Sequence, residues 1–588
     1  MYFFQQDMLF RTFERHLERL YGKDQSKRCL ERLNIFLSRY DTPLNVPDED
    51  HSRWSQRDVV LITYGDMVRE ENEKPIRTLK KFCDNYLRGC FNNVHILPFF
   101  PYSSDDGFSV IDYREVDPEL GDWQDIENFA ADYKLGVDLV LNHVSRQSSW
   151  FSDYVAGIMP YSDYFIEVSP EEDLSRVVRP RSGPLLTEAP ARNGYKHLWT
   201  TFSEDQIDLD FSNPDVFFDF LDILLTYLEH GARIVRLDAI AYLWKKPGTN
   251  CIHLPETHEV VKLFRRIIDI LAPGTIILTE TNVPQDENLS YFGNSDEAHM
   301  VYQFPLPPLL LHALLEETSE YLNKWVRTVS EAPEGCTFLN FTASHDGVGI
   351  RPLEGLVPEE QIMKLCETMK QKGGYVSTRK KSDGSDSPYE LNITYYNALA
   401  EAGAAEGWTS IHRFLCSQFI ALALKGIPAV YFNSLCAALN DNDAVKESGK
   451  ARSVNRHKWR YNELSGQLEA AEARPGFVFS RLRSAIKERI SHPAFHPDAE
   501  QRVIQFNDGV FAVERTAPWA SETVLAVSNV TGRKIKLDLT GWDKWDLLSG
   551  GYEIYNASSA EKSSSHTKNI EVAGFHTVWI SSSQINSG

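Results

Sequence analysis

The stretch Gly231-Ala-Arg-Ile-Val-Arg-Leu-Asp-Ala-Ile240 decides the fold that the sequence predicts. Its β-branched run predicts a buried strand that delivers Arg236 and then Asp238 at its carboxyl end. Two further apolar runs also close on acids, at residues 275–280 and 336–346. An apolar strand has no packing need for a carboxylate at its tip, whereas ligands bind at that end of the strands in barrels and parallel sheets. The three acidic tips therefore predict one functional site.

Alternating strands and helices extend this pattern in both directions along the chain. Continuous apolar strands separated by helices are typical of a parallel sheet that is covered on both faces. Eight β/α units predict an α/β fold, a (β/α)8 TIM barrel. The strands are predicted at residues 59–64, 94–100, 136–143, 233–238, 275–280, 300–304, 336–342 and 426–432.

Segments outside the repeating pattern predict four accessory parts. Residues 1–55 carry Leu, Phe and Tyr at helical spacing and predict an N-terminal helical extension of two amphipathic helices. The turn signal Asn507-Asp-Gly509 predicts a hairpin in a C-terminal antiparallel β-domain, and the Ser-rich stretch 558–565 predicts a flexible loop there. The expected boundaries are barrel segments at 56–144, 213–347 and 405–494, an inserted domain B at 145–212, an inserted domain B′ at 348–404, and the β-domain at 495–588.

Composition and charge restrict the class of partner. A hydrophobic content of 42% and a charged content of 24% are ordinary for a soluble globular protein. The formal net charge of −22 argues against nucleic acid or an anionic membrane surface as a partner. No run approaches transmembrane length and the first residues lack a basic leader, so the cytoplasm is the expected location. The eight cysteines have no spacing that suits zinc or a disulfide framework.

The barrel motifs together resemble a known family. Asp138 with Asn142-His143, then Arg236-Leu-Asp238, Glu280 and His345-Asp346, are similar in order to the four conserved regions of the α-amylase superfamily, glycoside hydrolase family 13. The resemblance covers roughly residues 58–460 and the C-terminal β-domain. It implies a retaining mechanism with two carboxyl groups flanking the anomeric carbon.

Finer features resemble the sucrose-phosphorylase branch of that family. These are Asp105-Asp-Gly-Phe108, Arg179-Pro-Arg181, Gln206-Ile-Asp-Leu-Asp210, Tyr389-Glu-Leu-Asn392 and Asn455-Arg456-His457. Within the branch the chain is similar to glucosylglycerate phosphorylases, which share the N-terminal extension and the Ser387-Pro-Tyr-Glu390 motif. True sucrose phosphorylases typically carry a histidine where this chain has Asn282, which counts against sucrose as the substrate.

The resemblance assigns roles to particular residues. Asp238 is expected to be the nucleophile, Glu280 the general acid and base with a raised pKa, and Asp346 the group that stabilises the transition state. Arg181, Tyr389 and Glu390 are expected on the phosphate and acceptor side, where an arginine fork suits phosphate oxygens. Contacts with the sugar are expected from Asp105, Phe108, His143, Gln206, Arg236, Tyr242, Asn282, His345 and Arg456. Phe108 and Tyr242 also suit plain packing roles.

The leading hypothesis is reversible phosphorolysis of 2-O-α-glucosylglycerate through a covalent glucosyl-enzyme. The alternatives are a phosphorylase of sucrose, sucrose 6'-phosphate or glucosylglycerol, an α-glucoside hydrolase or transglucosidase, and a catalytically inactive barrel that acts as a binding partner. Many α-amylase relatives hold calcium near Asn142, but the resemblance to the sucrose-phosphorylase branch implies no metal. No organic cofactor is expected, with inorganic phosphate as co-substrate and a homodimer implied by the tendency of the family.

Overall fold

Eight parallel strands close into a barrel in which each strand pairs with its neighbours in sequence and the last pairs with the first. The computed structural model describes residues 2–40, 42–44, 53–181, 183–329, 331–380, 386–517, 519, 522–544 and 551–582. The predicted TIM barrel is confirmed. Its strands are β1 Val60–Thr63, β2 Asn93–Ile96, β3 Lys134–Leu139, β4 Ala232–Leu237, β5 Ile276–Thr279, β6 Met300–Tyr302, β7 Thr337–Phe341 and β8 Ile427–Tyr431.

The predicted third strand differs most from the observed one. β3 ends at Leu139, and a separate strand, His143–Ser145, pairs antiparallel with Gln206–Asp208. The chain therefore leaves the barrel before the His143 motif and carries that histidine on the edge of the first inserted segment. The other seven strands begin and end within a few residues of their predicted limits.

Helices surround the barrel and continue into the inserted segments. None of them, within the described ranges, combines the length and the apolar character that crossing a membrane requires. The α-helices span Tyr2–Leu37, Pro75–Phe82, Trp123–Asp132, Ser149–Ala156, Pro214–Glu229, Pro255–Leu271, Gln285–Leu289, Leu306–Leu315, Glu320–Thr328, Glu359–Gln371, Tyr395–Leu399, Trp408–Ala423, Phe432–Leu435, Asn442–Ser448, Tyr461–Glu469 and Arg474–Ser491.

The N-terminal extension packs against the outside of the barrel. It forms one helical run, Tyr2–Leu37, that is broken into two segments at Gly22, whose φ of 74° and ψ of 171° are not helical. The Arg19 guanidinium donates to Glu259 on the helix Pro255–Leu271 at 2.7 Å. The buried apolar residues of the extension include Phe13, Leu17, Leu20 and Leu33. This buried face fixes the extension to the barrel.

Each inserted segment contains a small antiparallel sheet. The first contributes the hairpin Leu186–Ala191 and Gly194–Trp199. The second forms a three-stranded sheet from Val348–Gly349, Tyr375–Lys380 and Asp386–Asn392. Both segments supply residues to the pocket at the carboxyl ends of the barrel strands.

The C-terminal part is an antiparallel β-structure, as expected. The predicted turn is present, since the Val510 N–H donates to the Asn507 carbonyl oxygen at 3.1 Å. The flexible loop predicted at 558–565 is wrong for residues 561–565, which form a strand paired with Tyr552–Asn556. Its strands are Glu500–Val503, Val510–Thr516, Thr523–Asn529, Ile535–Asp538, Tyr552–Asn556, Glu561–Ser565, Asn569–Val572 and Thr577–Ser582.

One buried arginine joins this β-domain to the barrel. The Arg515 guanidinium donates to the carbonyl oxygens of Ala423 at 3.0 Å, His496 at 2.8 Å and Glu500 at 3.3 Å. Its partners are backbone oxygens from a barrel helix and from the segment that leads into the first strand of the domain. The positive charge is therefore solvated by peptide dipoles in place of water.

Candidate active site

One pocket lies at the carboxyl ends of the barrel strands, and it gathers nearly all the predicted site residues. Arg456 is the exception, since its buried side chain lies directly behind the pocket wall and donates to the His345 carbonyl oxygen at 2.9 Å. The predicted residues that line the pocket are Asp105, Phe108, His143, Arg181, Gln206, Arg236, Asp238, Tyr242, Glu280, Asn282, His345, Asp346, Tyr389 and Glu390. The barrel thus brings together residues that lie hundreds of positions apart.

Arg236 organises the acidic floor of the pocket. Alternation along β4 places Arg236 and Asp238 on the same face, and the guanidinium lies 2.7 Å from Asp238 Oδ1. The same guanidinium bonds Asp138 and lies 3.9 Å from Glu280 Oε2. Arg236, Asp138 and Asp238 are buried and Glu280 is partly buried, and Coulomb interactions are stronger away from bulk water. One cation therefore holds three carboxyl groups around the centre of the pocket.

Glu280 and Asp238 differ in their hydrogen-bond partners. Burial raises the pKa of Glu280 to about 7, with added repulsion from Asp238 and Asp346 and against the attraction of Arg236. Burial also raises the pKa of Asp238, but that carboxylate accepts the short Arg236 hydrogen bond. Glu280 accepts only a backbone N–H among the described residues, from Ala239 at 3.0 Å. The one proton of the pair therefore resides on Glu280.

Asp346 is held ionised by a residue that sequence reasoning missed. Arg452 Nη1 lies 2.6 Å from Asp346 Oδ1, and its Nε lies 3.1 Å from Glu390. Burial opposes ionisation, but Arg452, His345 and Arg456 together hold the pKa of Asp346 well below its usual range. Arg452 lies in the short turn Ala451–Asn455, directly before the predicted Arg456, but no local sequence pattern indicates its contact with Asp346.

Two rings form one wall of the pocket. The Phe108 ring stacks parallel on the His345 ring, with centroids 4.7 Å apart and 6° between the planes. Burial lowers the pKa of His345 to about 3, so that its imidazole is neutral. His143 Nε2 lies 2.8 Å from the Phe108 carbonyl oxygen, and Gln206 Nε2 donates to the same oxygen at 3.2 Å. These contacts fix the wall before any sugar binds.

The loop before Phe108 has an unusual backbone. Asp105 and Asp106 both adopt left-handed conformations, with φ of 54° and 49°. Arg456 bonds Asp106 and lies 3.8 Å from Asp105, so its direct partner is Asp106. Asp105 therefore keeps its carboxylate on the pocket side. Consecutive left-handed residues other than glycine cost energy and persist only where the surroundings hold them.

Asp205 supplies that support. Its carboxylate Oδ2 accepts hydrogen bonds from Ser103 at 2.6 Å, Ser104 at 2.5 Å and Ser109 at 2.8 Å. These serines flank the left-handed pair on both sides. The carboxylate from the first inserted segment thus clamps both ends of the loop.

The acceptor side contains two arginines and one shared carboxylate. Glu390 is buried, accepts the Gly347 N–H at 2.5 Å and contacts Arg452. Arg181 lies 3.8 Å from the same carboxylate, a looser contact that leaves its donors directed at the pocket. Burial raises the pKa of Tyr389 to about 12, so its phenol is neutral. Glu390 is already bonded to the protein, and the geometry favours it as an anchor for the arginines.

Two further predicted residues lie at the edges of the pocket. Tyr242 is buried and meets Phe202 edge-on, with centroids 5.6 Å apart. The Asn282 carboxamide packs on Gly349 so closely that a β-carbon there would lie 2.5 Å from Asn282 Oδ1. Because Gly349 has no side chain, the second inserted segment can approach Asn282, which lies two residues after Glu280.

A buried lysine occupies the region near Asn142. The Lys245 ammonium donates to Asn142 Oδ1 at 2.5 Å and lies 2.6 Å from Asp208 Oδ2. These two oxygens are therefore already bound to a cation that belongs to the chain. No group of acidic, histidine or cysteine side chains with the arrangement of a metal site occurs in the described ranges.

Comparisons with known proteins identify relatives of the chain. Residues 85–347 match the α-amylase catalytic domain. A glucosylglycerate phosphorylase of Spirochaeta thermophila is 44% identical over 516 residues, which cover 87% of this chain and 88% of that protein. The chain belongs to the α-amylase family. Within the family it lies in the sucrose-phosphorylase branch.

Other members of the α-amylase family show the same relation. A glucosylglycerate phosphorylase of Escherichia coli is 42% identical, with 91% of this chain and 95% of that protein covered. The crystal structure of a sucrose 6F-phosphate phosphorylase from Thermoanaerobacter thermosaccharolyticum superimposes with a TM-score of 0.70 at 27% identity, covering 81% of this chain and 94% of that one. The family relation therefore extends over nearly the whole molecule.

Proposed function

We propose that the protein is a retaining glucoside phosphorylase, a hexosyltransferase of the EC 2.4.1 class. It would reversibly convert 2-O-α-glucosylglycerate and inorganic phosphate into α-glucose 1-phosphate and glycerate. The observation that carries the proposal is the position of Arg181, a cation with a loose carboxylate contact that faces the same pocket as Asp238 and Glu280. The names of the relatives that are 42 to 44% identical support the choice of glucosylglycerate.

In the first step, the Asp238 carboxylate attacks the anomeric carbon of the glucoside. The bond from that carbon to the glycerate oxygen breaks, and Glu280 gives its proton to this oxygen. Glycerate leaves and a β-glucosyl ester on Asp238 remains. Asp346, held ionised by Arg452, stabilises the positive charge that develops on the sugar ring.

In the second step, a hydroxyl oxygen of hydrogen phosphate attacks the same carbon. The ester bond to Asp238 breaks, and the phosphate proton passes to Glu280, which is restored to its starting state. Two inversions give α-glucose 1-phosphate with net retention. Arg181 orients the phosphate, and the neutral Tyr389 phenol donates a further hydrogen bond.

The experiment that tests this function runs the reaction in reverse. The protein is incubated with α-glucose 1-phosphate and, separately, with glycerate, glycerol, fructose or fructose 6-phosphate, and phosphate release is measured above a blank without acceptor. Release stimulated chiefly by glycerate is expected. Glucose release that is independent of the acceptor would mean hydrolysis and would refute the proposal, whereas preference for another acceptor would replace only the glycerate assignment.

The Asp238→Asn variant is the matched control for that assay. It removes the nucleophile with almost no change of shape, and the expected loss of activity is a factor of about 10⁴ or more. Circular dichroism should show an unchanged fold. Full phosphate release by this variant would contradict the role of Asp238 as the nucleophile, whereas full biological activity of the variant without phosphate release would restore the inactive-barrel alternative.

The remaining expectations are part of the same proposal. We propose that the enzyme works in the cytoplasm on small-molecule substrates, as a homodimer, and without a metal or an organic cofactor. Light scattering coupled to size-exclusion chromatography measures the oligomeric state. Activity after dialysis against a chelator tests the metal requirement.

A further inference from the structure

A second cavity, of about 280 Å³, lies on the outer face of the barrel. Phe338 and Asn340 on β7 line it, whereas Phe341 on the same strand lines the active-site pocket. Alternate residues of a strand face opposite sides, so the two spaces lie on opposite faces of β7. Its other walls come from the helix Glu320–Thr328 and the strand Glu500–Val503. We call this space the side cavity.

A buried carboxamide faces the side cavity. Gln303 directly follows β6, is only 3% exposed and lines the cavity. Within the described part of the chain, its side-chain oxygen has no hydrogen-bond partner. A buried polar group without a partner destabilises the folded protein, because it has lost its hydrogen bonds to water. A ligand that donates a hydrogen bond to this oxygen would remove that destabilisation, and hydroxyl groups are suitable donors.

Positive charge lies at the opening of the side cavity. Arg327 has no carboxylate partner among the described residues, and its guanidinium donates to the Gln505 side chain at 2.5 Å. The Lys425 ammonium pairs with Glu331, whose side chain is 71% exposed. The Lys425 side chain is only 16% exposed, but its partner carboxylate lies largely in solvent, where screening weakens the ion pair. The two cations therefore favour an anionic group on the ligand.

We propose that the side cavity binds a small hydroxylated anion of the sugar phosphate class, with its hydroxyl groups toward Gln303 and its phosphate toward Arg327 and Lys425. The volume of about 280 Å³ lies just below the usual range of about 300–1,000 Å³ for ligand pockets, which suits a ligand as small as a monosaccharide phosphate. The apolar part of the wall, which includes Val326 and Phe338, would pack against the sugar ring. This site is separate from the catalytic pocket and does not depend on the activity proposed above.

Isothermal titration of the full chain with glucose 6-phosphate tests the site. Wild-type protein is expected to show one saturable site in the micromolar to millimolar range. Arg327→Gln and Gln303→Leu should each weaken binding at least tenfold. Arg460→Gln, which changes an exposed arginine outside the cavity, should leave the titration unchanged.

Further titrations identify the class of ligand and the cavity in which it binds. Inorganic phosphate should bind more weakly than the sugar phosphate, and glucose alone should not bind; equal binding of glucose would overturn the anionic requirement. Heat that persists in both cavity variants but disappears in Arg181→Gln would assign the site to the active-site pocket and overturn the proposal. No saturable binding to wild type would overturn it as well. Arg327 is at the surface, so this variant tests the idea even if Gln303→Leu fails to fold.

Discussion

Arg236, Arg452 and Arg456 set the charge of the pocket residue by residue. Each acidic side chain of the proposed mechanism has a different set of these neighbours, which explains why three carboxyl groups in one cavity adopt different protonation states. Asp346 has two arginines nearby, Asp238 has the short bond from Arg236, and Glu280 lies 3.9 Å from that guanidinium. Glu280, which must carry a proton, thus has the weakest contact with an arginine.

The pH dependence of glucoside cleavage should follow Glu280. The pKa of Glu280 is raised to about 7, and the acid works only when protonated, so kcat/KM for glucosylglycerate should fall as pH rises through about 7. With α-glucosyl fluoride, whose leaving group needs no proton, the alkaline fall of the first step should disappear. An equal fall of kcat/KM at alkaline pH with glucosylglycerate and with α-glucosyl fluoride would contradict this role of Glu280.

Loss of Arg452 should shift the acidic side of the pH–activity profile. Arg452 lowers the pKa of Asp346, so Arg452→Gln should raise that pKa. As the pH is lowered, the variant should therefore lose activity earlier, at a higher pH than the wild type does. We also expect kcat/KM to fall about 10²-fold, the usual effect of removing one stabilising donor. Lys450→Gln, an exposed neighbour, is the control in the same pH series. An acidic limb that stays in place would mean that Arg452 has only a packing role.

The residues on strand tips were predictable, and the residues that support them were not. Asp238, Glu280 and Asp346 follow apolar runs, a pattern visible in the sequence. Arg452 contacts Asp346 across about a hundred residues, and no local pattern reveals that distance in space. Asp105 and Arg456 were both predicted to contact the sugar, but the bond from Arg456 to Asp106 was not predictable, because the left-handed turn at Asp105 and Asp106 decides which carboxylate meets the arginine.

Among the elements, the loop that carries Asp105 depends on the first inserted segment. Asp205→Ala removes the acceptor of three serine hydroxyls and should let the left-handed residues relax. We expect kcat/KM to fall by about 10-fold to 10²-fold, since a shift of about 1 Å near the reacting groups has an effect of that size. Glu204→Ala, an exposed neighbour, is the control, and thermal unfolding checks the fold. Equal activity of the two variants would contradict the clamp.

Strand positions were predicted better than the polar edges of sheets. Apolar runs such as β4 are visible as strands because both faces are buried. Residues 561–565 read Glu-Lys-Ser-Ser-Ser, and they form an edge strand whose side chains are largely exposed. Backbone pairing with Tyr552–Asn556 holds this strand, and backbone pairing leaves no signature in composition. The sequence therefore predicted a loop there.

At the scale of the whole molecule, Arg515 links two folding units. Arg515→Leu would remove the guanidinium donor from three carbonyl oxygens. We expect the free energy of unfolding to fall by at least about 2 kcal/mol, because each hydrogen bond to a charged group is worth about 1.5–3 kcal/mol. Denaturant titration followed by tryptophan fluorescence measures the change. Arg533→Leu, on the exposed surface of the same domain, should have almost no effect, and an equal loss in both variants would contradict the link.

The number of parts in the molecule was predictable, but their docking was not. Helical spacing in residues 1–55 predicted two helices, and the structure has a helical run, Tyr2–Leu37, that is broken into two segments at Gly22. The face of the barrel that receives them depends on contacts such as Arg19 with Glu259, which are distant in sequence. The same limit applies to the side cavity, whose walls come from the barrel and from the C-terminal domain.

Lys245 has a consequence for the conditions under which the molecule can operate. A bound ion leaves whenever its concentration falls, but an ammonium that is covalently part of the chain stays beside Asn142 and Asp208 at any dilution. The cation that balances the charge of this region is therefore part of the polypeptide itself. We accordingly expect a newly made chain to reach its working form in a compartment where free calcium is scarce, and recovery of activity after refolding in a chelator measures this.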